Sequence, residues 1–189
     1  MDNTDNGQRR SGGRSGGFAV RPAEPRDIPD LMRLKRLLAE GEDSLQAVRA
    51  SADDWLRDGF GANAGFCAFV AEDGEAIIGM ATCSRRVITG WNGPVIFMQD
   101  LFVEPAHRRC GVADALAARI AALAYDIGSP IVELTVRADN NPAQVFYQRS
   151  GFAPLPQCLT YVLAGPALKA LAERDKQAQE IKEALALVG

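Results

Sequence analysis

The stretch Asp100-Leu-Phe-Val-Glu-Pro-Ala-His-Arg-Arg-Cys-Gly-Val-Ala-Asp-Ala-Leu116 decides the fold. Upstream, VIFMQDLFVEP is rich in β-formers and is closed by Pro105. Downstream, a glycine-containing loop feeds an Ala/Leu helix that stops at Gly128. Unpaired N–H groups at such a helix start face along the dipole and suit phosphate. Small residues at Gly111 and Ala113 let a pyrophosphate approach the backbone. The spacing is R-x-x-G-x-A, from Arg108 to Ala113. An ordinary loop and helix start is the plainer reading of the same residues.

Outward from this segment the chain reads as one domain with tails. FAVRPA is a short strand, Asp27 an N-cap, and Leu31, Leu34, Leu37 and Leu38 mark a helix. A second helix spans roughly 51–58, ending at DGFG. GFCAFVAE and AIIGMATCSRRV form a hairpin around EDGEA. After the Ala/Leu helix come the strand IVELTV, a short helix ending at Gly151, the strand LTYVL and an amphipathic helix. The pattern predicts an α/β fold, a mixed sheet with helices on both faces. It divides into a flexible arm over 1–17, a domain over 18–165 and a terminal helix over 166–189.

Composition narrows the function. The 189 residues carry 21 Lys+Arg, 24 Asp+Glu and one His, a net charge of −3. The pI near 5.3 argues against a nucleic-acid binder. No apolar run approaches the roughly 20 residues of a membrane helix, and residues 1–17 contain no apolar signal core. These features predict a cytoplasmic protein with neither nucleic acid nor membrane as partner. Cys67, Cys83, Cys110 and Cys158 form no CxxC pair, and with one His they make no zinc site.

A second element follows in order: the strand IVELTV, then Asn140, Tyr147, Gly151 and Phe152. Together with Arg108–Ala113 it resembles the GCN5-related N-acetyltransferases over most of 18–165. Arg21-Pro22-Ala23, Leu38-Ala39 with Glu42, Trp55 to Gly61, Trp91 and Asp100 to Val103 are similar to the diamine and thialysine acetyltransferase branch. The resemblance implies a GNAT fold, acetyl-CoA as cosubstrate, and acetyl transfer to a small primary amine in a ternary complex. It also implies a homodimer, and a coenzyme A slot where two parallel strands splay near Val103.

Carried over residue by residue, the resemblance implies these roles. Leu101, Phe102 and Val103 face the pantetheine arm, and the Val103 N–H polarises the thioester carbonyl. Arg108, Arg109, Cys110, Gly111, Val112, Ala113 and Asp114 hold the pyrophosphate. Asn140 binds the cofactor, and Tyr147 protonates the departing thiolate. Glu42, Trp91, Gln99 and Asp100 line the acceptor pocket. Asn140 and Asn141-Pro142 also fit a plain helix start, Tyr147 a core aromatic, and Glu42 a solvated acidic loop.

The branch has Glu where this chain has Gln99, and an acidic residue where it has Thr89. Gln cannot accept a proton, and an alkylammonium is only about one part in a thousand neutral at pH 7. Period-2 alternation places Asp100 on the face opposite Gln99. A protein or peptide amine, and a non-catalytic acetyl-CoA-binding module, therefore stand as alternatives.

Overall fold

In the computed structural model, residues 17–90 and 93–173 are described. The chain forms two compact units, Met1–Asn141 and Pro142–Gly189. The first holds a five-stranded sheet in the order β1-β2-β3-β4-β5. The strands are β1 (Ala19–Pro22), β2 (Cys67–Asp73), β3 (Ala76–Val87), β4 (Pro94–Val103) and β5 (Val132–Leu134). Pairing is antiparallel from β1 to β4 and parallel between β4 and β5. The helices are α1 (Ile28–Gly41), α2 (Ala52–Phe60) and α3 (Val112–Asp126), the last being the crossover between the parallel strands. The mixed sheet predicted from sequence is the sheet observed.

Alternation along the strands explains the layers. Val70 and Met80 join Ile28, Leu31, Leu34 and Trp55 in the core beneath α1 and α2. Phe69 turns to the other face, where Arg119 of α3 lies 4.9 Å from its ring centroid. Gly79 also faces α3, and a Cβ there would meet Val112 and Leu116 at 3.3 Å. Ser51 caps α2 by accepting from the Asp54 N–H at 3.2 Å, while Asp54 accepts from the Ser51 N–H at 2.9 Å. Gly128, at φ 69°, ends α3.

Three local expectations are corrected. Asp27 precedes α1 but does not cap it. Its carboxylate accepts instead from Arg21 at 2.6 and 3.0 Å and from the Glu24 N–H at 2.7 Å. The strand IVELTV shortens to Val132–Leu134. LTYVL forms no strand: among the described residues nothing pairs with it, and Leu159, Tyr161 and Val162 are exposed, so β propensity alone builds no strand there.

The described part of the second unit, to residue 173, begins and ends in helix. Helix α4 (Asn141–Arg149) ends at Gly151, whose φ of 92° lets Phe152 turn back and donate to the Tyr147 carbonyl at 2.9 Å. Residues 165–173 are helical, within the predicted terminal helix. Residues 1–16 of the predicted arm and 174–189 of that helix lie outside the described residues.

The buried Asp27 gives a stability test. Arg21 beside it, and the Glu24 N–H, hold its carboxyl below the ordinary carboxylate range. Its stabilisation is therefore complete above the unfolded-state pKa and is lost as pH falls through the lower folded value. Asp27→Ala should cost about 3 kcal/mol in urea unfolding at pH 7, and less at acid pH. A loss independent of pH would show that the ion pair contributes nothing.

Candidate active site

The site is built around a β-bulge in β4. Thr82 and Cys83 of β3 stand opposite Asp100 and Met98, so Gln99 is an extra residue with no partner. The bulge changes two things. Before it, the Ile96 N–H donates toward β5, to the Ile131 carbonyl at 3.1 Å. After it, the Glu104 N–H donates toward β3, to the Ile78 carbonyl at 3.0 Å. Backbone alternation then turns the polar groups of Leu101 and Val103 away from β3. Pairing with β5 ends at Met98↔Leu134, so β4 runs on from Gln99 to Val103 with no strand partner on that side among the described residues.

The same bulge corrects the expectation that Gln99 and Asp100 face opposite ways. Both line one cleft of about 380 Å³, together with Phe97. Strict alternation would have separated them, and the inserted residue cancels it. Asp100 accepts from Lys35 Nζ at 2.5 Å and from Thr82 Oγ1 at 2.8 Å. Both carboxylate oxygens are thus engaged from inside the chain.

Helix α2 supplies the other wall. Trp55 and Phe66 meet edge to face at 5.3 Å, and Asp54 and Asp58 line the same cleft. Arg57 donates to Asp54 at 2.8 Å and to Asp58 at 2.7 Å. Those contacts lower both aspartyl pKa values, and the Ser51 backbone N–H is the first cause at Asp54, held at about 2. The Asp-Gly-Phe-Gly element has a steric reason here. A Cβ on Gly59 would lie 2.6 Å from the Phe66 ring, and one on Gly61 would lie 2.5 Å from the Arg57 carbonyl. Lys35, Asp54, Asp58, Phe66 and Phe97 were missed in sequence. Asp54 and Asp58, one turn apart on a capped helix, were the signal that could have exposed the α2 wall.

Beyond β4 the chain turns through a loop with two left-handed residues, Arg109 at φ 63° and Gly111 at φ 84°. Such a turn aims successive N–H groups into a concavity suited to anions. Gly111 precedes α3 without any side-chain cap, and a Cβ at 111 would meet open space. Arg108 Nε donates to the Val103 carbonyl at 3.0 Å, tying the loop to the strand end. Arg109 and Cys110 are exposed, Val112 is buried, Ala113 is half-buried and Asp114 lies in the first turn of α3. His107 is half-buried, with Nδ1 3.6 Å from a Glu104 oxygen.

Glu42 sits just past α1, close enough to Arg137 to raise its pKa, though Asp139 is the larger cause. It does not line the cleft. Asn140 donates its N–H to the Arg137 carbonyl at 3.0 Å in the turn before α4. Tyr147 is half-buried within the second unit, its ring 5.3 Å from that of Phe146 and 5.5 Å from that of Phe152. Trp91 lies outside the described residues.

Comparison with known proteins identifies the family and the fold. Residues 30–152 match the acetyltransferase (GNAT) family model. A human spermidine/spermine N(1)-acetyltransferase-like protein 1 is 32% identical over 141 residues, covering 71% of this chain but only 20% of that protein. The chain thus spans about a fifth of that relative's length. A mouse thialysine N-epsilon-acetyltransferase is 28% identical over 166 residues, covering 82% of this chain and 97% of that protein. An aminoglycoside N-acetyltransferase solved in complex with CoA superposes with a TM-score of 0.63 at 21% identity, covering 79% of this chain and 96% of the other.

Cys110 reports on the anion loop. Its thiol is exposed, whereas burial pushes the Cys83 thiol up to about 12. Iodoacetamide should label Cys110 quickly and Cys83 only after unfolding. Coenzyme A at ten times its Kd should slow Cys110 labelling about tenfold, read by peptide mass spectrometry. Unchanged labelling with coenzyme A bound would place the pyrophosphate elsewhere.

Proposed function

The chain belongs to the acetyltransferase (GNAT) family, and we propose on that basis that it transfers acetyl from acetyl-CoA to the primary amine of a small molecule. The observation that carries this reading is the strand end. Past Met98, β4 has no β5 partner among the described residues, its Gln99 and Asp100 line the cleft, and the loop after it leads to the uncapped start of α3. One strand can therefore hold a thioester on its backbone edge and an amine beside its side chains. The mouse relative is named for its thialysine acceptor, which suits a small amine here.

In this reading the pyrophosphate lies on the backbone of Arg108 to Asp114, where the helix dipole and the left-handed turn favour an anion. The Val103 N–H donates to the thioester oxygen and stabilises the negative charge that develops as the amine attacks. The neutral amine bonds to the carbonyl carbon, the carbon–sulfur bond breaks, and Tyr147 gives its phenolic proton to the thiolate; the proton lost by the new amide nitrogen passes to water, from which the Tyr147 phenolate is reprotonated. Leu101 and Phe102 flank the pantetheine arm, and Asn140 contributes a further cofactor contact. Gln99 orients the acceptor without removing its proton. Asp100 is committed to Lys35 and Thr82, so it is no substitute for a free base.

The homodimer and the cytoplasmic location complete the proposal. Leu155, Leu159, Tyr161 and Val162 leave an exposed apolar run that a second copy would cover. Four free thiols suit a reducing compartment.

Thiol release from acetyl-CoA should be followed with diamines, polyamines, lysine analogues, aminoglycosides and short peptides. Turnover confined to one small-amine class is expected; turnover with peptides alone would replace the acceptor. Tyr147→Phe should lower kcat about a hundredfold while the coenzyme A Kd changes little. An unchanged kcat would remove Tyr147 from proton transfer. Gln99→Glu should raise turnover of strongly basic amines, most visibly below pH 8.

A further inference from the structure

Lys35, Asp54, Asp58 and Asp100 are the charged residues that line the cleft. Asp100 is held by Lys35, and Asp54 and Asp58 share Arg57 behind the lining. Each acidic group that an ammonium would seek already contacts a cation of the chain itself, but the α2 aspartates divide one between them. The two sets differ in burial. The Lys35 and Asp100 side chains are 32% and 13% exposed, whereas those of Arg57, Asp54 and Asp58 are 65%, 38% and 50% exposed. The exposed α2 pairs are weak and open readily. The Lys35 pair is partly shielded and fixed by the additional bond from Thr82.

An ammonium carries three N–H donors, and Asp100 takes one of those on Lys35. Lys35 therefore presents positive charge and further donors to the cleft beside the neutral Gln99. We infer that Lys35 is a specificity-determining residue that selects an amine bearing a carboxylate, an amino-acid-type acceptor, over a polyamine. The acceptor's carboxylate bonds to Lys35, while a second ammonium on it displaces Arg57 from Asp54 or Asp58. A polyamine has no group to give Lys35 and brings like charge to it. This assignment rests on the small-amine reading above.

Matched acceptors isolate the carboxylate. Lysine is cadaverine with one carboxylate added, and ornithine stands in the same relation to putrescine. Wild-type chain should favour lysine or ornithine over its decarboxylated partner by about tenfold or more in kcat/KM, mostly through KM. Lys35→Met should abolish or invert that ratio, and Lys35→Arg should keep it. A purely structural role would lower both members of a pair alike. Calorimetric binding of the same amines to the coenzyme A complex separates this inference from the reading beneath it. Lys35-dependent preference for lysine without turnover would sustain carboxylate recognition and remove the acetyl-transfer reading. Equal or better use of cadaverine and putrescine by the wild type, a ratio unmoved by Lys35→Met, or no binding of either amino acid would overturn it.

Discussion

One unpaired residue governs this architecture. Without Gln99 as an extra residue opposite Thr82 and Cys83, the Val103 N–H would point into the β3 ladder. It would then be consumed as an ordinary rung. The insertion shifts the backbone phase by one position, so the polar groups of Leu101 and Val103 turn away from β3, past the end of the β5 pairing. It also places Phe97, Gln99 and Asp100 in one cleft rather than on two faces. In the proposed reaction a local defect in pairing serves the thioester and the amine sides together.

Much of this was legible in the residues themselves. The strand, glycine loop and helix around Gly111 were clear because each carries its own signal: β-branched side chains, a closing proline, then an alanine-rich period. The bulge was not legible, because the adjacent Gln99 and Asp100 interrupt an otherwise apolar strand without showing which of them lacks a ladder partner. LTYVL misled for the opposite reason. Its β propensity is real, but propensity supplies no partner strand, and among the described residues none lies beside it. The resemblance to known acetyltransferases named Asp58 to Gly61 without a cause, and packing against Phe66 and the Arg57 carbonyl provides one.

The electrostatics complete the picture. A carboxylate seen in sequence invites a role as base or as a seat for a cation. Asp100 has instead been drawn into a network with Lys35 on α1 and Thr82 on β3. Such a pair holds α1 against the sheet where the core residues Leu31 and Leu34 also bind it. Charge pairing and apolar burial here fix the same helix to the same strands, so the position of the cleft wall follows from the position of the core.

Gly59 lies behind that wall, one layer removed from any bound molecule. Only 2.6 Å separates the place of its missing Cβ from the Phe66 ring, and the cleft lies beyond that ring. Volume added at 59 has to be taken from the chamber in front. Residue 59 therefore acts as a spacer that sets the bore of the cleft, and under the proposed function a lineage could retune the size of its substrate there while leaving every contacting residue type unchanged.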